Sequence, residues 1–287
     1  MVSKANDMIS ASLVLYNNNP KIFEPAITSF LKGCENGIIW ISDNSPKQLE
    51  NPIFSCDRVR YFKNEENLGF GAGHNQALKR IRLDSDLHLI LNPDVEFSTD
   101  VLPELIRLMD ADDRIGAVMP RIIYPDGSPQ HLAKLLPTPL DLFFRRFIPF
   151  NSIKNFINRR YELRDLDISQ PIEVPAISGC FLLARTSVLQ RIGGFDERYF
   201  MYMEDFDLVR RIAKSHKILF APQVEVVHHY AKGSYFKKTL LLYHIKSAIK
   251  YFNKWGWVFD ATRKHSNQRA LRQIQTLGKV IEIVDEQ

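Results

Sequence analysis

The amino-acid sequence predicts an α/β fold, in which a mostly parallel sheet is covered by helices, followed by a C-terminal helical extension. Three observations support this prediction. Short apolar runs alternate with helical patterns over the first 125 residues. These runs end in polar residues, as is typical of strands whose carboxyl ends form a ligand-binding edge. From residue 236 onward the pattern is helical.

The alternation assigns the elements of the first part of the chain in order. Strands are predicted at 9–15, 38–42, 59–62 and 87–91, and helices at about 21–32, 72–82 and 100–110. Asp43 and Asp94 directly follow two of these strands. In an open α/β sheet, that edge is where ligands bind, so both residues are candidates for a functional site.

Residues 126–172 interrupt the alternation and are predicted to form a long insert or lid. The segment contains five prolines and the run LDLFFRRFIPF at 140–150, so we expect only one or two short helices. Regular signals return at 177–185, 186–192, about 204–214, 218–220 and 224–228. The predicted domains are therefore 1–235, which includes the insert, and 236–287.

Composition narrows the class of protein. The chain is 45% hydrophobic and 25% charged, which is typical of a globular protein with a core. Its three cysteines are widely spaced and form no CxxC pair, which argues against a disulfide framework or a zinc module. No apolar run approaches the roughly 18 residues that a membrane-spanning helix needs. A cytoplasmic protein is therefore expected.

Charge is distributed unevenly along the chain. Residues 134–164 carry seven Lys or Arg against two acids, and residues 228–287 carry eleven against four. Because the whole chain has a net charge of +5, the remainder carries −7. An acidic body with two basic segments needs two separate explanations.

Two acidic clusters could carry chemistry. Glu204 and Asp205 open a predicted helix, where acids either complement the helix dipole or, with other acids nearby, serve base catalysis. The segment Asn92-Pro93-Asp94 is at its simplest a turn, and otherwise offers an oxygen ligand to a hard divalent cation. Each interpretation stays open for these residues alone.

Two further motifs are weaker when taken singly. His228 and His229 close a predicted strand, and adjacent strand residues point to opposite faces, so at most one of them faces a cleft. The run NLGFGAGHN at 67–75 has alternate glycines that would let a backbone approach phosphates. Its GxGxG spacing differs from the dinucleotide fingerprint GxGxxG, which leaves a dinucleotide-dependent oxidoreductase as a distant alternative.

Taken together and in order, the motifs resemble the family 2 glycosyltransferases of the GT-A fold, particularly the bacterial rhamnosyltransferase-like branch. The resemblance covers roughly residues 8–235. The segments that carry it are Tyr16-Asn17, Asp43-Asn44-Ser45, Asn67 to Asn75, Leu91 to Asp94, Ser178-Gly179-Cys180, Gly194-Phe195-Asp196, Glu204 to Leu208 and His228.

The resemblance implies a role for each matching residue. Asp205 corresponds to the catalytic base, with Glu204 as the fallback. The metal motif Asp-x-Asp corresponds to Asn92-Pro93-Asp94, so Asp94 would be the metal ligand, and the chain departs from the motif at Asn92. His228 would complete the metal or diphosphate site, with His229 as the alternative. The residues expected to bind the nucleotide sugar are Tyr16, Asn17, Asp43, Asn67, Gly71, Asn75, Asn92 and Asp94.

The implied reaction is an inverting sugar transfer that depends on Mg²⁺ or Mn²⁺. The first choice of donor is dTDP-rhamnose, and a UDP-sugar is the alternative within the same fold. The expected acceptor is a glycan or a polyprenyl-diphosphate-linked sugar in bacterial surface polysaccharide (O-antigen-type) synthesis. A body of charge −7 that binds an anionic donor needs such a cation. No nucleic-acid partner is expected, since a basic binding module would not explain acids at strand ends.

The basic C-terminal segment has two interpretations. Its lysines at 246, 250 and 254 form a stripe beside the apolar residues Leu241, Ile245, Ile249 and Phe252. The helix either packs on the domain with a solvated lysine face, or docks on anionic lipids at the inner face of the cell membrane.

Overall fold

The computed structural model describes residues 8–81, 85–142, 151–164, 170–230 and 238–285. The predicted domain boundary at 235–236 and most of the run at 140–150 lie outside the described residues. In the described residues, ten strands form one mixed sheet in the order β3-β2-β1-β4-β9-β6-β10-β5, with β7 paired to β6 and β8 to β10. The strands are β1 Met8–Leu15, β2 Ile38–Asp43, β3 Val59–Lys63, β4 Ser85–Leu91, β5 Val95–Glu96, β6 Ile115–Ile123, β7 Pro129–Gln130, β8 Ile172–Glu173, β9 Phe181–Arg185 and β10 Lys217–His228.

Helices cover the sheet and extend the chain beyond it. They are α1 Pro20–Gly33, α2 Phe70–Leu78, α3 Val101–Ala111, α4 Pro139–Leu142, α5 Asn151–Tyr161, α6 Thr186–Arg191, α7 Glu204–Ile212, α8 Lys238–Trp255 and α9 Ala261–Asp285. A short 3-10 turn lies at Pro52–Ser55. The prediction of an α/β sheet with a C-terminal helical extension is confirmed. The sheet is parallel only among β1 to β4 and between β6 and β10; the pairs that involve β9 are antiparallel.

Two serines that interrupt the apolar pattern of β1 form a buried polar chain. The Ser10 hydroxyl lies 2.8 Å from His88 Nδ1, and the Ser12 hydroxyl lies 2.8 Å from His88 Nε2 and 2.7 Å from His74 Nδ1. Burial lowers the pKa of both histidines to about 3, so both rings are neutral. Because His74 belongs to α2, this chain attaches the glycine-rich helix to β1 and β4.

The longest strand that the sequence pattern misses is β6. Pro120 interrupts its apolar run, and proline has no N–H for a sheet ladder. The sheet accommodates this because β9 pairs with β6 only at Ala117 and Val118, and the register on β10 shifts after Ala221. The same shift explains why residues 218–220 and 224–228 were expected to be two strands, whereas they belong to one.

The C-terminal helix α8 packs on the sheet domain through a small second core. Ala248, Tyr251 and Phe252 are buried there against Tyr199 and Met203. The apolar stripe predicted from the sequence is therefore partly wrong, since Ile249 is 41% exposed. No helix among the described residues is long and apolar enough to cross a membrane.

Two of the three lysines in the predicted basic stripe face the protein. Lys254 Nζ lies 2.7 Å from an Asp196 oxygen and 2.6 Å from an Asp207 oxygen. Lys250 donates to the backbone carbonyl of Arg198. The expectation of three solvated lysines on one face is thus wrong for Lys254, which acids on the neighbouring loop and on α7 bind, whereas Lys250 is exposed and is held only through a backbone carbonyl.

Candidate active site

The carboxyl ends of the parallel strands bring the candidate residues to one edge of the sheet. Leu15 of β1 pairs with Asp43, and Leu13 pairs with Leu91 at the end of β4. Burial, together with the negative charges of Asp94 and Asp205, raises the pKa of the Cys180 thiol to about 12. Since both carboxylates act on one thiol, the predicted metal ligand and the predicted base lie close to the start of β9.

Asp94 and His228 meet through two atoms that both accept hydrogen bonds. The Gln130 amide Nε2 donates to the His228 carbonyl at 2.8 Å, so its Oε1 faces His228 Nδ1 at 2.9 Å. That oxygen can only accept, so Nδ1 carries a proton and donates to it. Nε2, the other ring nitrogen, faces Asp94 Oδ1 at 3.2 Å.

This arrangement needs a positive charge. Asp94 Oδ1 and His228 Nε2 are both buried and have no hydrogen-bond partner. A second proton on the ring or a metal ion would satisfy both atoms, and an imidazole nitrogen with a carboxylate oxygen is a usual ligand pair for Mn²⁺. Among the described residues, no group of three or more His, Cys, Asp or Glu side chains could hold a metal alone. A metal here would therefore need ligands from substrate or water.

The alternative histidine lies on the other side of the strand. His229 Nε2 is 3.5 Å from a Glu96 oxygen, and both side chains are about half exposed. Its backbone N–H donates to the Asp94 carbonyl. The structure therefore places His228, and not His229, beside Asp94.

Asn92 is held by its backbone N–H, which donates to the Cys180 carbonyl at 2.8 Å.

The predicted base Asp205 is partly buried and its neighbour Glu204 is buried at the start of α7. Burial raises the pKa of Glu204 well above its usual range, and the Asp205 charge adds to this. Burial also raises the pKa of Asp205, but N–H groups of Phe206 and Gly179 and the Lys134 charge counteract it. These directions favour Glu204 as the carboxyl that binds a proton first, because Asp205 receives stabilising N–H groups and the Lys134 charge, whereas burial and the Asp205 charge both raise the pKa of Glu204.

The backbone before this pair is strained. Tyr202 and Met203 have φ angles of 68° and 67°, a left-handed region that residues with side chains rarely adopt. Met203 is held in this conformation because its side chain is buried in the core shared with α8. The packing of the C-terminal helix therefore sets the position of Glu204 and Asp205.

Asp43 is already engaged by the protein. One carboxylate oxygen accepts from the Ser45 N–H at 2.8 Å, and the other accepts from the Leu49 N–H at 3.2 Å and the Tyr61 hydroxyl at 2.5 Å. The side chain is fully buried. Burial and Asp43 raise the pKa of Tyr61, which keeps its hydroxyl protonated as a donor. The pattern analysis missed Tyr61, whose only sequence signal is its place in β3, next to β2.

The glycine-rich segment packs against its neighbours on several sides. A Cβ on Gly69, whose φ is 82°, would lie 2.1 Å from the Phe200 carbonyl oxygen, and one on Gly71 would lie 2.9 Å from Phe195. The Asn67 side chain accepts from the Gly69 N–H. Close packing of α2 thus accounts for these glycines without a phosphate.

Asn75 joins α2 to the loop that precedes the acidic pair. Its amide Nδ2 donates to the Phe195 carbonyl and to Glu197, and its Oδ1 accepts from the Phe195 N–H. The structure therefore gives Asn75 a structural contact, and its predicted contact with a nucleotide sugar stays a prediction.

Two further predicted residues lie at the open edge of the sheet. Tyr16 is 50% exposed just after β1. Asn17 has a φ of 54°, and its N–H donates to the Ser45 hydroxyl at 2.8 Å. The turn after β1 is thereby tied to the turn after β2, and the Tyr16 ring remains accessible to a ligand.

Comparison with known sequences identifies relatives of one kind. A family model described as glycosyl transferase family 2 matches residues 10–193. N-acetylglucosaminyl-diphospho-decaprenol L-rhamnosyltransferase of Mycobacterium tuberculosis is 32% identical over 243 residues, which cover 79% of this chain and 78% of that protein. Rhamnosyltransferase WbbL of Escherichia coli is 26% identical over 194 residues, or 64% of this chain and 69% of the relative.

Solved structures share the fold at low sequence identity. A structure of GalNAc-T7 with UDP, GalNAc and Mn²⁺ has a TM-score of 0.61 and 16% identity, and covers 88% of this chain and 48% of its own. A mannosyltransferase of Pyrobaculum calidifontis, solved with GDP-Man and Mn²⁺, has a TM-score of 0.54 and 16% identity, and covers 93% and 73%. These likenesses confirm the GT-A fold.

Proposed function

The chain belongs to glycosyl transferase family 2, and from this premise we propose that it is an inverting, metal-dependent rhamnosyltransferase. The proposed donor is dTDP-rhamnose, and the proposed acceptor is a polyprenyl-diphosphate-linked sugar in surface polysaccharide synthesis. The observation that carries this proposal is the 32% identity, over 78% of its length, to an enzyme named for such an acceptor. Because the chain belongs to this family, we no longer consider the alternative of a dinucleotide-dependent oxidoreductase.

Asp94 and His228 would hold the Mg²⁺ or Mn²⁺ ion. The support for this is their pair of facing acceptor atoms, 3.2 Å apart, which the protein leaves without a hydrogen bond. When bound, the ion would act as a Lewis acid and offset the negative charge of the leaving diphosphate. Gln130 would hold His228 in the tautomer that presents Nε2.

Asp205 would act as the general base. It would accept the proton from the acceptor hydroxyl, and the neighbouring Glu204 would stay protonated because burial and the Asp205 charge raise its pKa. The N–H of Phe206 donates to Asp205 Oδ1 at 2.8 Å, which orients the carboxylate. If Asp205 does not serve, Glu204 is the remaining acid at this position.

The donor nucleotide would lie along the turns after β1 and β2. Tyr16 is accessible for stacking, and Asn17 and Asp43 lie in the two joined turns. A nucleobase contact to Asp43 would require the turn after β2 to open, because its carboxylate is fully buried and already accepts three hydrogen bonds. The contacts proposed for the sugar diphosphate are Asn67, Gly71, Asn75, Asn92 and Asp94.

We place the protein in the cytoplasm, at the inner face of the cell membrane, because the proposed acceptor is linked to a lipid. The test is transfer to a polyprenyl-diphosphate-linked N-acetylglucosamine, comparing dTDP-rhamnose with UDP- and GDP-sugars, with Mn²⁺ or with EDTA. We expect product from dTDP-rhamnose only when metal is present. Transfer from a UDP-sugar alone would support the alternative donor, and undiminished transfer in EDTA would remove the metal from the proposal.

A further inference from the structure

The turn between α8 and α9 presents apolar side chains to solvent. Phe259 is 93% exposed, Val258 is 75% exposed and Trp257 is 39% exposed. Exposed apolar residues are common singly, but three in succession form a patch that needs an explanation. This turn, residues 257–259, is called the apolar tip below.

Buried charged groups hold the apolar tip in place. The Arg263 guanidinium is buried and donates to the backbone carbonyls of Gly256, Trp257 and Val258 at 3.2–3.4 Å. Asp260 accepts from the Arg263 N–H and forms two hydrogen bonds, at 2.8 and 2.9 Å, with the buried Arg210. The tip is therefore a fixed feature of the fold, and its apolar side chains point outward because the backbone is anchored from inside.

The two helices that flank the apolar tip in the chain carry exposed basic side chains. Lys246 on α8 and Lys264 and Arg272 on α9 are exposed, and the acid next to the tip is Asp260. That acid is buried against Arg210, so it adds no exposed negative charge. Lys264 is exposed one turn into α9, directly after the tip. An apolar projection flanked by helices with exposed Lys and Arg matches a bilayer of anionic lipids, whose head groups attract Lys and Arg while the acyl chains take up apolar side chains.

The size of the tip argues against a second copy of the chain as its partner. A large aromatic side chain buries about 150–250 Å², so three residues of which one is mostly covered fall well short of the roughly 800 Å² per partner of a standard interface. A bilayer needs no such area, since insertion of a few residues combines with electrostatic attraction.

We propose that the apolar tip is a membrane anchor, in which Val258 and Phe259 insert into an anionic lipid surface. This differs from the lysine stripe expected from the sequence, because Lys250 and Lys254 are bound to the protein. The inference rests on the proposed function in one respect: a lipid-linked acceptor would explain why the enzyme needs a membrane anchor. Helix α8 runs from the tip to the small core that contains Met203, next to Glu204 and Asp205. The anchor would therefore set the distance between Asp205 and the lipid surface.

The test is flotation of the whole protein with vesicles of phosphatidylglycerol and phosphatidylcholine, without donor or acceptor. The double variant Val258→Ser with Phe259→Ser should bind about tenfold more weakly or worse, since each apolar side chain loses its burial. Ile22→Ser is the matched control, because Ile22 is 41% exposed on α1 and outside the tip. Phe259→Trp should restore binding. Equal melting temperatures would show that the variants fold.

The outcomes separate this inference from the proposed enzyme activity. If wild type and the double variant float equally, the membrane anchor is overturned. It is also overturned if gel filtration shows a dimer for wild type and a monomer for the double variant. Transfer to a water-soluble acceptor is measured separately and would still test the rhamnosyltransferase proposal. Equal binding to vesicles of phosphatidylcholine alone would contradict the role of anionic lipid.

Discussion

Two regions of the molecule bury charge in opposite ways. Between α7 and α8, the buried carboxylates are paired: Asp260 binds Arg210, and Asp207 accepts from Lys254, Arg211 and Trp255. At the carboxyl edge of the sheet, the carboxylate oxygens Asp94 Oδ1 and Glu204 Oε2 are buried without a hydrogen bond, and the atom that faces Asp94 Oδ1 is His228 Nε2, 3.2 Å away.

The difference separates structural from functional charge. A buried ion pair holds two elements together, and removing one partner is costly because the other charge stays buried. A buried polar atom without a partner costs free energy in the free protein, and is retained where a ligand or a proton satisfies it. The four predictions below test this comparison.

The largest effect is expected for Asp205→Asn. An amide cannot take the acceptor proton, so turnover should fall about 10²–10⁴-fold while donor binding stays near that of wild type. Glu204→Gln is the matched neighbour and should cost much less, since we infer that Glu204 is already protonated. Steady-state kinetics and a donor-binding titration measure both. If turnover of Asp205→Asn equals that of wild type, the base is not Asp205.

On the structural side, Asp260→Asn should destabilise the fold by about 3–5 kcal/mol, because Arg210 would stay buried without its charge partner. Glu104→Gln is the control, since the Glu104–Arg107 pair is exposed and should contribute at most about 1 kcal/mol. Urea denaturation gives both free energies of unfolding. A loss as small as that of Glu104→Gln would end the distinction between the two regions.

A smaller effect is expected for Gln130→Met. The variant cannot accept from His228 Nδ1, so the ring is free to take the other tautomer and Mn²⁺ should bind about 10–100-fold more weakly. His229→Gln should leave Mn²⁺ binding intact, because His229 faces Glu96. Electron paramagnetic resonance of free Mn²⁺ measures binding without catalysis. Unaltered affinity in Gln130→Met would show that Gln130 does not set the tautomer.

The smallest effect is a gain in stability expected for Glu204→Gln, in contrast to the loss expected for Asp260→Asn. Because the pKa of Glu204 is raised in the fold, the native state holds the proton more tightly than the unfolded state. Its contribution to stability is present below the unfolded pKa of about 4.3 and is lost as pH rises through the native pKa. The amide removes this loss, so Glu204→Gln should be more stable than wild type at neutral pH.

The measurement is urea denaturation of wild type and Glu204→Gln over a pH range that begins at the ordinary carboxyl pKa of about 4.3 and extends to neutral pH. The stability difference should vanish at the acid end. A variant less stable than wild type at neutral pH would mean that Glu204 has a partner in solution.

The sequence was sufficient for the elements with regular patterns. Strands β1, β2 and β4 could be predicted because their apolar runs are short and end in polar residues, and these ends carry Asp43 and Asp94. The placement of His228 beside Asp94 required the pairing of β10 with β5, which joins residues far apart in the chain.

Other features depend on contacts that no local pattern encodes. Pro120 concealed β6, because only a register shift in the partner strand makes a proline acceptable there. Gln130 and Tyr61 act through side chains of other strands and lie in no recognisable motif. The lysines of α8 have equal spacing, yet the acids on α7 and its preceding loop bind Lys254 alone, and Lys250 donates to a backbone carbonyl.

The core shared by Met203 and α8 has a consequence for protein synthesis. Met203 and the start of α7, with Glu204 and Asp205, leave the ribosome well before Tyr251 and Phe252, which complete the packing of Met203. We therefore expect the donor side to form early in translation and the acid that accepts the proton to reach its final position only near the end. Nascent chains stalled on the ribosome before α8 should show no sugar transfer, whereas released full-length chains should.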